Sequence, residues 1–173
     1  ALPICDLQIE TGGFTEFVPL PFVHMEAPLY LKGKARKGPT FRESILMHAV
    51  ARVVLYPYIK NIQTSWVKMG HSGVVACLNA GANDLGGTLM NESITRAAGA
   101  SYGQETSPDE MLSMIRSAGR VPRQRNTAYG DVSDERVRAG REAQELELIV
   151  NTPAKKYQRS DRIPLHRHRA GIK

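Results

Sequence analysis

Apolar and polar positions follow two rhythms along the chain. Short apolar runs bounded by glycine or proline predict strands at residues 14–24 (FTEFVPLPFVH), 60–67 (KNIQTSWV) and 84–90 (DLGGTLM). Pro19 and Pro21 confine the first to an edge-like or bulged end, because proline has no N–H to give to a ladder. Apolar residues recurring every three or four positions predict helices over residues 40–56, 71–79 and 91–98, a fourth opening at Ser107 and ended by Gly119, and a charge-laced fifth over 133–150.

Local chemistry marks several of these boundaries. Thr40 and Glu43 have the spacing of a capping box, and Pro57 stops that helix. Ser107, Pro108 and Glu110 combine a serine cap with proline at the first helical position. Within 60–67, alternation puts Asn61, Gln63 and Ser65 on one face and Ile62, Thr64 and Trp66 on the other. Strands separated by single helices imply parallel β/α units and an α/β fold. Three units close neither a doubly wound sheet nor a barrel, and the chain opens in mid-pattern, so part of a larger α/β fold is expected.

Composition sets the outer limits. With 173 residues, 42% apolar and 23% charged, one ordinary domain with a buried core is expected. Cys5 and Cys77 are the only cysteines, which excludes a disulfide scaffold and a four-cysteine metal site. No run is apolar enough for a membrane span and no leader pattern is visible, so a cytoplasmic location is the expectation. The net charge of +6 is concentrated in residues 155–173, where Lys155, Lys156, Arg159, Arg162, Arg167, Arg169 and Lys173 face only Asp161. That segment reads as a solvated, disordered basic tail.

In parallel β/α folds ligands collect beyond the carboxyl ends of strands. His24 and Glu26, the residues 65–70, and Thr88 to Glu92 are the candidates there. Asn61, Gln63 and Ser65 either form a polar layer satisfied within the protein or line an interior that hydrogen-bonds a polar heterocycle. Gly86 and Gly87 fit a bulge, tight packing or close approach of a ligand; neither phosphate-loop spacing is present. Lys32, Lys34, Arg36 and Lys37 make a basic loop that suits a solvated lid or a phosphate or RNA contact. His24 and Glu26 read as an acid/base pair or as hydrogen-bonded core residues.

Four segments in this order, FVPLPFVHMEAPLYLKGKARKGPTFRESILMHAVARVVL, NIQTSWVKMG, ACLNAGANDLGGTLMNESITRAAGASYG and SAGRVPRQRNTAYG, resemble the carboxyl-terminal part of the FO synthase family, in its tyrosine-using radical S-adenosylmethionine module. The resemblance implies the last portion of a (β/α) TIM-type barrel, about three β/α units, that joins L-tyrosine to 5-amino-6-ribitylaminouracil in deazaflavin coenzyme biosynthesis. It further implies S-adenosylmethionine and a 4Fe-4S cluster as cofactors. The cysteine triplet that holds such a cluster is absent from this sequence, so no metal ligand is assigned and the segment alone is expected to be inactive.

Carried over by position, Gln63, Ser65 and Trp66 belong to the wall around the organic substrate. Asn83, Asp84, Thr88 and Glu92 fall at the mouth of the last strand, and His24 and Glu26 at the exit of the preceding one. Glu92 and His24 are the catalytic candidates; the others would bind substrate or cosubstrate. The implied organisation is a partial barrel over 1–130, a helical extension over 131–154 and the basic tail over 155–173. Implied partners are the amino-terminal half of the barrel and, through open strand edges, further copies of the chain. A radical enzyme of the menaquinone pathway and a basic nucleic-acid-binding module are the alternative readings.

Overall fold

The structure is a computed structural model that describes residues 2–89, 92–102 and 104–144. Seven helices follow one another among them: α1 (Leu2–Thr11), α2 (Pro28–Leu31), α3 (Phe41–Leu55), α4 (Trp66–Asn79), α5 (Ile94–Ala97), α6 (Pro108–Ser117) and α7 (Asp134–Glu142).

The cap chemistry expected at α3 and α6 is formed. Thr40 Oγ1 accepts from the Glu43 N–H at 3.2 Å while Glu43 Oε2 accepts from the Thr40 N–H at 2.7 Å. Ser107 and Glu110 repeat the arrangement at α6. Ser133 caps α7 alone, through the Arg136 N–H. The rest of the expected helix 133–150 beyond residue 144, and the tail 155–173, lie outside the described residues.

The three expected strands are not formed as strands. Among the described residues, β pairing consists of isolated bridges: Phe17 with Ile62 and Gln63 with Asp84, both parallel, and Arg125 with Asp131, antiparallel. The segments lie side by side, tied by Phe17 N–H to Asn61 O, Gln63 N–H to Phe17 O, Asn83 N–H to Ile62 O and Thr64 N–H to Asp84 O, all within 2.8–2.9 Å. The physical reason they stop there lies in their neighbours. Pro19 and Pro21 cannot donate. Asp84 Oδ1 turns back to accept from Gly86 N–H at 3.1 Å, and Gly86 then takes φ +74°, which ends the extended run. The second segment is cut short because α4 begins at Trp66, inside the expected strand 60–67. A parallel alignment flanked by helices is present; a closed barrel is not formed by the described residues. The short α2 carries no advance signal.

Two buried clusters hold the segments to the helices. Ile62, fully buried, packs with Ala51, Leu55, Ile59 and Cys5. Trp66, Val74, Cys77, Leu78, Leu85 and Met114 form the second, with Met111 and Ile115 of α6 against it. Of the apolar stripe of α3 read from sequence, Ile45 packs against the second cluster, but most of this side of the helix faces away from both. Ser44, His48, Ala51 and Leu55 are its buried positions, while Leu46 (57% exposed) and Val53 (78%) point to solvent. No helix among the described residues is long and apolar enough to cross a membrane.

Candidate functional site

Alternation along 61–64 sends Ile62 and Thr64 into the helix side, both fully buried, and leaves Asn61 and Gln63 on the opposite face. On that face the three parallel segments bring Glu16, Gln63 and Asp84 together. Gln63 Nε2 donates to Glu16 Oε2 at 2.9 Å and to Asp84 Oδ2 at 3.1 Å. From far along the chain, residues 125–129 return to the same place. Arg125 forms an ion pair with Asp84 and lies 3.5 Å from Glu16, and the Tyr129 hydroxyl shares its one proton between Asp84, at 2.7 Å, and Glu16. The Arg125 guanidinium stacks 3.9 Å from the Tyr129 ring centroid.

These contacts set the protonation states. Burial pushes the Asp84 carboxyl up, but donation from Arg125, Tyr129, Gln63 and the Gly86 N–H outweighs it, and the net shift is down. Burial, reinforced by the two accepting carboxylates, pushes the Tyr129 phenol far up, so it stays a donor. A cleft of about 240 Å³ opens beside this group, lined by Asn61, Asn83, Asp84, Arg123, Arg125 and Tyr129. Asn61 and Asn83 each precede the bridged residue of their segment, so the cleft lies toward the amino ends. Asn83 is itself a brace, its Oδ1 accepting from Ile62 N–H and from Arg52.

The carboxyl ends form a second polar group. Glu92 Oε1 accepts from Thr95 Oγ1 at 2.9 Å and from Thr95 N–H at 3.0 Å, which caps the short α5. The Thr95 hydroxyl in turn accepts from Lys68 Nζ at 2.9 Å. Burial lowers the Lys68 pKa, opposed by the nearby Glu92 charge. Trp66, buried in the core, donates its indole N–H to Gly87 O at 3.0 Å, which ties α4 to the glycine pair. Tyr102 lies over Gly70, where α4 breaks with φ 66° and ψ 178°; a Cβ there would sit 2.3 Å from the ring.

The remaining expected site residues are placed as follows. Ser65 is the residue before α4, its side chain making no cap bond, and Thr88 O accepts from Thr106 N–H. Glu26 N–H donates to Ala98 O, joining the first carboxyl-end loop to α5, with its side chain exposed. His24 Nδ1 accepts from Gly38 N–H at 3.3 Å and its ring meets Tyr30 edge-on at 4.7 Å, so it anchors the basic loop 32–38. Structure thus joins Gln63 to Asp84 and leaves His24 engaged away from Glu26. Lys68 falls within the candidate stretch 65–70, whereas Glu16, Thr95, Arg125 and Tyr129 lie outside the candidates that the sequence offers. The available signal was that Lys68, Arg125 and Tyr129 fall inside the NIQTSWVKMG and SAGRVPRQRNTAYG segments.

The donor set does not fit an iron–sulfur cluster. Cys5 and Cys77 are buried in different clusters, and no group of three or more His, Cys, Asp and Glu among the described residues could hold a metal ion.

Residues 11–136 match the family model of the CofH/MqnC C-terminal region. An FO synthase of Streptomyces coelicolor is 52% identical over 140 residues, which are 81% of this chain and 16% of that protein. The FO synthase of Mycobacterium leprae is 56% identical over 124 residues, 72% of this chain and 14% of that protein. A protein of Methanopyrus kandleri named 5-amino-6-(D-ribitylamino)uracil–L-tyrosine 4-hydroxyphenyl transferase is 54% identical over 126 residues, 73% of this chain and 34% of that protein. The chain therefore spans about a seventh to a third of the length of these relatives, and the family match takes in both polar groups.

Proposed function

The chain belongs to the CofH/MqnC C-terminal family, and on that premise we propose that it supplies part of the substrate-enclosing wall of a radical S-adenosylmethionine transferase joining L-tyrosine to 5-amino-6-(D-ribitylamino)uracil. The observation that carries this reading is the 54% identity to the named transferase over 126 residues, beside a family match over residues 11–136 that takes in both polar groups. Three segments aligned in parallel and flanked by helices fit the closing arc of a (β/α) barrel completed by the rest of such an enzyme. S-adenosylmethionine and a 4Fe-4S cluster would supply the radical, but three thiolates cannot come from this chain, and no step is assigned to its own side chains through that cluster.

What these residues contribute is binding and order. The Glu16–Gln63–Asp84–Arg125–Tyr129 network closes the amino-end side of the arc with every carboxylate already paired, which suits a floor rather than a reacting centre. Lys68, Thr95 and Glu92 stand at the carboxyl ends, where ligands of such folds bind.

The test is a graft. Residues 11–136 of this chain replace the matching region of the Streptomyces coelicolor FO synthase, and deazaflavin product is measured from L-tyrosine and the ribitylaminouracil. Product formation is the expected result. A folded graft that binds S-adenosylmethionine and cleaves it without forming product would overturn the assignment.

A further inference from the structure

Lys68 is a half-buried ammonium whose hydrogen bond among the described residues goes to a neutral hydroxyl, that of Thr95, at 2.9 Å. No carboxylate among the described residues lies within ion-pair distance of it. An ammonium has three donors. Thr95 takes one, which leaves donors for an incoming acceptor. Glu92 stands on the other side of the same hydroxyl, held by Thr95 through Oγ1 and N–H, with Oε2 engaged, among the described residues, by the longer contact of 3.2 Å to Thr95 N–H. A cation and an anion are thus fixed on either side of one threonine, neither neutralising the other directly. Placed at the carboxyl ends of the parallel segments, such a pair has the charge pattern of an α-amino acid in mirror image.

We propose that Lys68 and Glu92, spaced by Thr95, bind the zwitterionic head of an α-amino acid, Lys68 taking the carboxylate and Glu92 the ammonium. The inference rests on the reading that the enzyme uses L-tyrosine, and it deepens that reading by naming the residues that recognise the amino-acid end. S-adenosylmethionine carries the same head group, so two sources share this chemistry. Charge-assisted hydrogen bonds of this kind are the strong ones, and one lost pair weakens binding about tenfold or more.

The experiment is binding to the full 173-residue chain by calorimetry or ligand-observed NMR. The probes are L-tyrosine, tyramine (no carboxylate), 3-(4-hydroxyphenyl)propionate (no ammonium) and S-adenosylmethionine. The expected result is that L-tyrosine binds about tenfold or more tighter than either truncated analogue. Lys68→Gln abolishes that preference for the carboxylate, and Lys68→Arg restores part of it. Binding of S-adenosylmethionine in place of L-tyrosine, lost in Lys68→Gln, supports the head-group site and assigns it to the cosubstrate. Equal affinity for L-tyrosine and tyramine overturns the proposal without any variant, while leaving the tyrosine-using function standing. Binding of neither amino acid also overturns it, and the graft then judges the function separately.

Discussion

The Tyr129 hydroxyl shares its one proton between Asp84, at 2.7 Å across 45 positions of chain, and Glu16, 113 positions away. One phenol thus locks the closing segment onto two of the three parallel segments. Arg125 supplies the positive charge that lets two carboxylates share this space. Removing the cation leaves them facing each other, whereas removing the phenol leaves only a missing donor. Arg125→Met is therefore expected to destabilise by about 3–5 kcal/mol and Tyr129→Phe by about 1–3 kcal/mol. Urea denaturation of both variants checks the order. Equal losses, or a neutral Arg125→Met, would show that the network does not hold the segment.

Parts of this arrangement are legible from sequence and parts are not, for a physical reason. Thr40 with Glu43 and Ser107 with Glu110 act over three positions, so the residues that form each cap announce it locally. The two faces of 61–64 follow from alternation alone. Arg125 and Tyr129 sit in an irregular stretch whose partners lie dozens of residues away, and no local periodicity encodes that return. The strands are overestimated because apolar runs satisfy a strand pattern whether or not a ladder continues. Proline at 19 and 21 and the Asp84–Gly86 turn interrupt the ladder. The apolar stripe of α3 misleads in the opposite sense: its buried side carries Ser44 and His48, residues a hydrophobic pattern does not count.

The two capping boxes give a prediction with little room for compensation. Thr40→Ala and Ser107→Ala are each expected to lower stability by about 1 kcal/mol, with Gly replacements costing less. The caps belong to different helices and share no partner, so the double variant should sum the two losses to within about 0.5 kcal/mol. Thermal or chemical denaturation of the four proteins in the cycle reads this directly. A double variant far from the sum would mean the two helix ends are coupled.

Gly70 combines two constraints that mutation can separate. Its φ of 66° with ψ 178° lies in a region open to glycine, and its missing Cβ makes room for the Tyr102 ring. Gly70→Ala should cost about 1–3 kcal/mol from the backbone alone, plus the clash. In a Tyr102→Gly background the clash vanishes and the backbone part remains. If Gly70→Ala is harmless in that background, the break in α4 is not held at Gly70 and the path of the chain beside Lys68 is more adaptable than the structure implies.

Acid sensitivity should come in two steps, each with its own residue. His48 is fully buried, its Nδ1 at 2.7 Å from Ser44 O and 3.5 Å from Cys77 Sγ. Burial lowers its pKa from the ordinary 6.5, against the raising effect of backbone contacts to Ser44 and Gln63. The unfolded chain binds this proton near pH 6.5 and the folded chain only at lower pH. Between those values the unfolded state holds more protons, so stability is full above the upper one and falls as pH drops through the window. The Asp84 carboxyl is also lowered, from 3.8, and the stability it contributes is present above that value and lost as pH falls through its folded value. The expected profile of melting temperature is level above about pH 7, with one decline setting in below about pH 6.5 and a second below about pH 4. His48→Gln should flatten the first decline and leave the second, and Asp84→Asn should do the reverse while also lowering stability at neutral pH. A native profile that shows only the second decline would mean that water reaches His48 without unfolding, and that the interface between α3 and the parallel segments opens within the folded state.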